Sequence, residues 1–258
     1  TDLMNRLEVI LNDEKPDFVI VYGDCDSTFA GAFVTHKMNI KLVHVESGMR
    51  SYNKKMPEEI NRLLTDNISD ILLCANKESM VNLKNENITK NVFFVGNLQL
   101  DLLRFIISKI KPSNILGNYI LLTIHRNYNT TEKNLKFIFA GLSDIKKKII
   151  FPIHPRTKNV IKKFNIKIPL NIEIIDPLKY IDMVNMVVNS YCVISDSGGL
   201  QPECWYLNKK CVILRTETEW KEQLQNGNNI LYDYKTPLPE FIEKFVKIPV
   251  EQHEYNIN

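Results

Sequence analysis

This sequence lacks several things whose absence narrows its function. No apolar run approaches the roughly eighteen residues that a membrane helix needs. The opening TDLMNRLEVILNDEKP is amphipathic and carries no signal-like core. A membrane partner is therefore not expected. Charge of one sign is also scarce: 33 Lys and Arg against 30 Asp and Glu leave a formal charge of +3, with lysines scattered among acids. That pattern builds no basic stripe for nucleic acid, so any anionic ligand must be bound locally. The 5 cysteines, Cys25, Cys74, Cys192, Cys204 and Cys211, are odd in number, widely spaced and without a C-x-x-C pair. This argues against a disulfide framework or a zinc ribbon and for reduced thiols in a cytoplasmic protein.

What the sequence does have is enough apolar material, 44% over 258 residues, for two modest cores. Short runs rich in β-branched residues, DFVIVYG, IKLVHVE, ILLC and NVFFVG, alternate with stretches whose apolar residues recur at helical spacing. The alternation resumes with YILLTIH, KIIFPIH, NIEIID, YCVISDSGG and CVILRT. Repeated βαβ units of this kind predict an α/β protein of two Rossmann-like domains with parallel sheets. Between them KPSNILGN, residues 111–118, breaks helix and strand alike and reads as a linker, which gives domains of residues 1–112 and 113–258. The tail from Leu238 onward ends in polar residues and reads as only partly ordered.

Ligands of open α/β sheets bind beyond the carboxyl ends of the strands, and two such domains facing each other leave their cleft there. Walking those ends gives Gly23 and Asp24, then His44, Glu46 and Gly48, then His125 and Arg126, His154, Asp176, and Asp196 with Ser197, Gly198 and Gly199. A single Asp or His at a strand end is as readily a helix cap. Repetition at one topological level is what points to a site. The S-D-S-G-G run precedes a helix, so its glycines let backbone N–H groups approach a diphosphate. Glu203, a turn into that helix, is positioned for ribose hydroxyls. Pro57 opens a second helix with Glu58 and Glu59 behind it, a normal helix start. Even so, Glu58 would point toward the loop carrying Glu46, with Arg62 one turn along to balance it. Paired carboxylates beside a phosphate site suggest proton chemistry. His44 and His154 read as structural, and no histidine spacing suggests a metal site.

The motifs VYGDCDST, HVESGMR, MPEEINRLLTD, FFVGNLQLD, LLTIHRN, IIFPIHPRT, IIDPLKY, VISDSGGLQPE and LRTETEW, in this order from about Asp17 to Asp233, resemble successive landmarks of the non-hydrolysing UDP-N-acetylglucosamine 2-epimerases. The resemblance implies a GT-B-like fold, a dimer, a UDP-sugar partner, and neither metal nor cofactor. It also implies inversion of carbon 2 of a UDP-N-acetylhexosamine through elimination and re-addition of UDP. Carried over motif by motif, the catalytic residues fall on Asp24, Glu46, Glu58 and His125. The UDP-sugar contacts fall on Arg62, Leu178, Ser197, Gly198, Gly199, Glu203 and Arg215, with Arg126 a further candidate for diphosphate charge.

The chain also departs from the pattern of the family it resembles. That family opens with a strand, a G-T-R-P-E turn and a lysine-bearing helix, which implies an N-terminally truncated or fragmentary member whose first domain is incomplete. A missing N-terminal segment would then complete it. Tyr128, Pro202 and Cys25 replace the residues usual at their positions. The alternatives to an epimerase are a catalytically impaired nucleotide-sugar-binding protein and a GT-B glycosyltransferase.

Overall fold

The computed structural model describes residues 2–110 and 117–251. The chain divides into two compact units, Thr1–Leu98 and Gln99–Asn258. The segment read as a linker lies mostly outside the described residues, at 111–116.

The first unit runs α1 (Asp2–Glu14), β1 (Phe18–Tyr22), α2 (Asp26–Lys37), β2 (Lys41–Val45), α3 (Pro57–Ile68), β3 (Ile71–Cys74), α4 (Lys77–Asn85) and β4 (Val92–Phe94). Its four strands are parallel in the order β1-β2-β3-β4, with Tyr22 beside Val45 and Val45 beside Leu73. Local chemistry explains the helix starts. Pro57 opens α3 with two acids in its first turn. The Asn76 side chain caps α4 by accepting from Ser79 N–H at 2.8 Å. Val21, Ala32 and Leu42 form one small core, and Leu72, Cys74 and Leu83 another. β1 is an edge strand, and Phe18, Ile20 and Tyr22, which share one face by the strand period, are each more than half exposed.

The second unit runs α5 (Leu98–Ile107), β5 (Tyr119–Thr123), α6 (Glu132–Ser143), β6 (Lys148–Pro152), α7 (Pro155–Lys163), β7 (Ile172–Ile175), α8 (Tyr180–Asn189), β8 (Cys192–Ser195), α9 (Leu200–Tyr206), β9 (Cys211–Ile213), a 3-10 turn (Lys221–Leu224), β10 (Asn229–Leu231) and α10 (Leu238–Val246). Its six parallel strands lie in the order β10-β9-β8-β5-β6-β7. One face packs Leu122, Phe151 and Val212 against Leu135, Phe139, Ile242 and Phe245. The other packs Leu121, Val193 and Ile213 against Val187, Leu200 and Cys204. Burial on both faces is why these strands read as continuous apolar runs.

Three features differ from the sequence reading. The compact units divide ahead of residue 112, because Leu100, Leu103 and Ile106 of α5 pack with Val184, Trp205 and Tyr206 of the second unit. The tail read as partly ordered contains α10, whose Leu238, Ile242 and Phe245 are buried. β10 carried no strand signal because it is three residues long and starts on Asn229, whose side chain donates to Gln201 O and Gln223 Oε1.

Phe151 is fully buried, whereas Phe18 is 55% exposed. Phe151→Ala is therefore expected to cost about 3–5 kcal/mol in urea unfolding, and Phe18→Ser less than about 0.5 kcal/mol.

Candidate active site

In the second unit the chain leaves β5 toward β7 and then returns to build β8 to β10 on the other side, so the order switches between β5 and β8. A crevice beyond the carboxyl ends of these two strands is the expected ligand position. Thr123 Oγ1 and Ser195 Oγ, at the two strand ends, lie 2.6 Å apart. The next residue of β8's loop, Asp196, is fully buried. Its carboxylate accepts from His125 N–H at 3.0 and 3.1 Å, Arg126 N–H at 2.9 Å and Asn129 Nδ2 at 3.1 Å. The same carboxylate lies 3.4 Å from His125 Nδ1. Burial lowers the pKa of His125; Asp196 opposes this, while Arg126, His154 and Arg156 add to it. His154 caps α7 by accepting from Arg156 N–H, and its ring stands 5.5 Å from that of His125.

The turn after Asp196 is narrow for a reason. A methyl group on Gly198 would stand 2.8 Å from Glu219 Oε1, 3.2 Å from Arg126 Nη2 and 3.6 Å from Arg215 Nη1. Two guanidiniums thus border the Ser197–Gly199 backbone. Arg215 is held by Glu219 at 2.9 Å, and Trp220 Nε1 donates to Gly198 O at 3.1 Å. Alongside lies a cavity of about 300 Å³ whose lining includes His125, His154, Leu178, Tyr180, Ser197 and Glu203. Glu203 is 5% exposed, with Gln99 Nε2 donating to it at 3.1 Å. Burial pushes its carboxyl up to about 7 against the lowering effect of Tyr180 and Gln99.

In the first unit the acids gather at the ends of β1 and β2. Asp24 pairs with Arg62, and Arg62 also donates to Glu59 at 2.8 and 3.1 Å. Glu59, buried, accepts as well from the backbone of Ser51 and Tyr52 at 2.8 Å each. The Ser51 bond and the Arg62 guanidinium hold Glu59 below its ordinary range although burial raises it. Arg62, expected among the diphosphate contacts, is 2% exposed and engaged with carboxylates of its own unit. Glu46 has φ +66°, a left-handed conformation that costs a side-chain-bearing residue energy and that clusters at functional sites. A methyl group on Gly23 would lie 3.7 Å from Glu46 Oε2, which puts the G-D turn beside that carboxylate. Glu58 is half-buried in the first turn of α3.

Within each unit, then, expected residues meet. His125, Leu178, Ser197, Gly199 and Glu203 share one cavity, with Gly198 and Arg215 beside it, and Asp24 and Glu46 stand on adjacent strand ends. Sequence reasoning missed Gln99, Tyr180 and Glu219, and treated Glu59 only as a helix opener. Glu59 stands three residues before Arg62, a spacing that signals an ion pair on a helix. Gln99 gives no such signal, being 104 residues from the carboxylate it serves.

Taken together, the two parallel α/β units and the arginine-bordered glycine turn define a GT-B-like protein of the nucleotide-sugar class. The family model described as UDP-N-acetylglucosamine 2-epimerase matches residues 1–255. A UDP-N-acetylglucosamine 2-epimerase homolog of Methanococcus maripaludis is 43% identical over 95% of this chain and 72% of its own length. The UDP-2,3-diacetamido-2,3-dideoxy-D-glucuronate 2-epimerase of Pseudomonas aeruginosa is 38% identical over 89% of this chain and 67% of its own length. The structure of Methanocaldococcus jannaschii UDP-GlcNAc 2-epimerase in complex with UDP-GlcNAc and UDP superposes with a TM-score of 0.89 at 37% identity, covering 99% of this chain and 76% of that one. The chain belongs to the UDP-N-acetylglucosamine 2-epimerase family. Among the described residues no helix is long and apolar enough to cross a membrane.

Because the folded-state pKa of Glu203 stands above its ordinary 4.5, its contribution to stability is complete below that value and is lost as pH rises through about 7. The ligand-free protein is expected to lose about 3 kcal/mol by this route in urea unfolding between pH 4.5 and 8. Glu203→Gln should flatten that part of the profile.

Proposed function

We propose that this chain inverts carbon 2 of a UDP-N-acetylhexosamine, interconverting UDP-N-acetylglucosamine with UDP-N-acetylmannosamine or a modified analogue, by eliminating UDP and adding it back. The carbon 2 proton is adjacent to no carbonyl, so direct removal faces a barrier that one base cannot lower enough. Cleaving the anomeric C–O bond first leaves an oxocarbenium-like carbon 1, which acidifies that proton. Its loss gives a glycal and free UDP. Reprotonation on the opposite face and return of UDP to carbon 1 complete the exchange, with no net change of atoms or electrons.

In this reading the second unit holds UDP. The Ser197–Gly198–Gly199 turn with Arg126 and Arg215 takes the diphosphate, His125 assists its departure, Glu203 receives the ribose hydroxyls, and Leu178 lies on the nucleoside side. The first unit supplies Asp24, Glu46 and Glu58 for proton transfer, with Arg62 orienting Asp24. The observation that carries the proposal is the gathering of Asp24 and Glu46 on adjacent strand ends, with Glu46 held in a left-handed conformation. A transferase that only passes the sugar to an acceptor has no need of such a pair. The homodimer implied by the motifs belongs to this proposal, as does a cytoplasmic setting, which suits the free thiols, four of them buried.

Incubation with UDP-N-acetylglucosamine in heavy water should place deuterium at carbon 2, without any acceptor. Glu46→Gln should lower that exchange by about 10²–10⁴-fold while leaving UDP affinity within twofold. Exchange at near-native rate in the variant would remove Glu46 from the mechanism, and sugar transfer only upon adding an acceptor would replace epimerase by transferase.

A further inference from the structure

Resting on the epimerase reading, the problem posed by the first unit is mechanical: Asp24 follows an edge strand, Glu46 follows its neighbour, and both carboxylates must be held to fractions of an ångström. Strand pairing alone gives the Gly23–Asp24 turn one bond, from Gly23 N–H to Val45 O at 3.1 Å. A second comes from Asn61, whose Nδ2 donates to the Asp24 carbonyl oxygen at 2.9 Å, and a third from His44, two residues before Glu46 and fully buried. Its Nε2 meets the Gly23 carbonyl oxygen at 2.9 Å, and its Nδ1 meets Asp66 Oδ1 at 2.7 Å.

Asp66 continues the chain of contacts. Its other oxygen accepts from Gly48 N–H at 3.1 Å and from Arg50 Nη1 at 2.7 Å, and Arg50 forks onto Glu86 at 2.6 and 2.7 Å. Glu46 is thus bracketed: His44 before it and Gly48 after it are tied to the same buried carboxylate. Such bracketing is what a non-glycine residue in the left-handed region requires if it is to stay there. A backbone carbonyl oxygen only accepts, so the contact to Gly23 needs the hydrogen on Nε2, while Nδ1 faces the Asp66 carboxylate.

We propose that His44 is a positioning residue for the epimerisation, a two-sided clamp whose Nε2–H to the Gly23 carbonyl fixes the turn bearing Asp24 against the strand bearing Glu46. It touches no substrate and acts through the two acids.

Asparagine can replace only the Nδ1 side of a histidine and glutamine only the Nε2 side, which separates the two arms of the clamp. His44→Asn keeps a donor toward Asp66 and loses the one toward Gly23. Its turnover in the carbon 2 exchange assay should fall about 10- to 100-fold, with KM and UDP affinity within about threefold. His44→Gln keeps the donor toward Gly23 and should retain a substantially larger share of turnover. Equal turnover in the two variants, or a loss confined to KM, overturns the proposal. If His44→Asn does not fold, the wild-type protein decides: with ¹⁵N-labelled histidine, Nε2 of His44 should carry a slowly exchanging hydrogen, and a bare Nε2 overturns the clamp. Absence of any exchange in the wild type would refute the epimerase reading, whereas the nitrogen measurement reports on the clamp regardless of that outcome.

Discussion

A carboxylate shut away from water must find donors or lose its charge, and Asp196 shows how that demand organises the second unit. At the end of β8 it takes the backbone N–H groups of His125 and Arg126 and the side chain of Asn129, so the loop after β5 has little freedom to be anywhere else. From that fixed loop follow the facing of the His125 ring toward Asp196 and the stand of Arg126 beside Gly198. The glycines then keep the space open that a side chain would close.

The first unit meets the same demand with more charges. Asp66, Glu59 and Asp24 are answered by His44, Arg50 and Arg62, mostly with negligible exposure. Buried ion pairs of this kind add little net stability, because desolvation consumes most of the attraction, but removing one partner is severe and their geometry is narrow. An arrangement that stabilises little and specifies much is suited to an active site. The left-handed Glu46 is the counterpart in the backbone, a local cost maintained by the contacts on either side of it.

Much of this was legible in the residues. Each strand from β1 to β9 coincides with an apolar run recognised from composition, and in the second unit this follows because parallel strands covered on both faces leave little room for polar residues. The strand-end residues were legible too, since sheet topology dictates where to look. What could not be read were allegiances made in three dimensions. α5 looks like part of the first domain until its leucines are seen against Trp205 and Tyr206. Arg62 looks like a free cation for phosphate until Glu59 and Asp24 are seen to claim it. His44 looks like any core histidine until both its nitrogens are traced to partners from different elements.

The edge position of β1 has a consequence for how this sheet can grow. The backbone of the G-D turn is held by its neighbour strand through Val45 and His44 and by α3 through Asn61. Among the described residues no strand pairs with the outer edge of β1, and Phe18, Ile20 and Tyr22 stand exposed together on one of its faces. That edge therefore offers unpaired backbone to a further parallel strand, and the exposed face offers an apolar stripe to a covering helix.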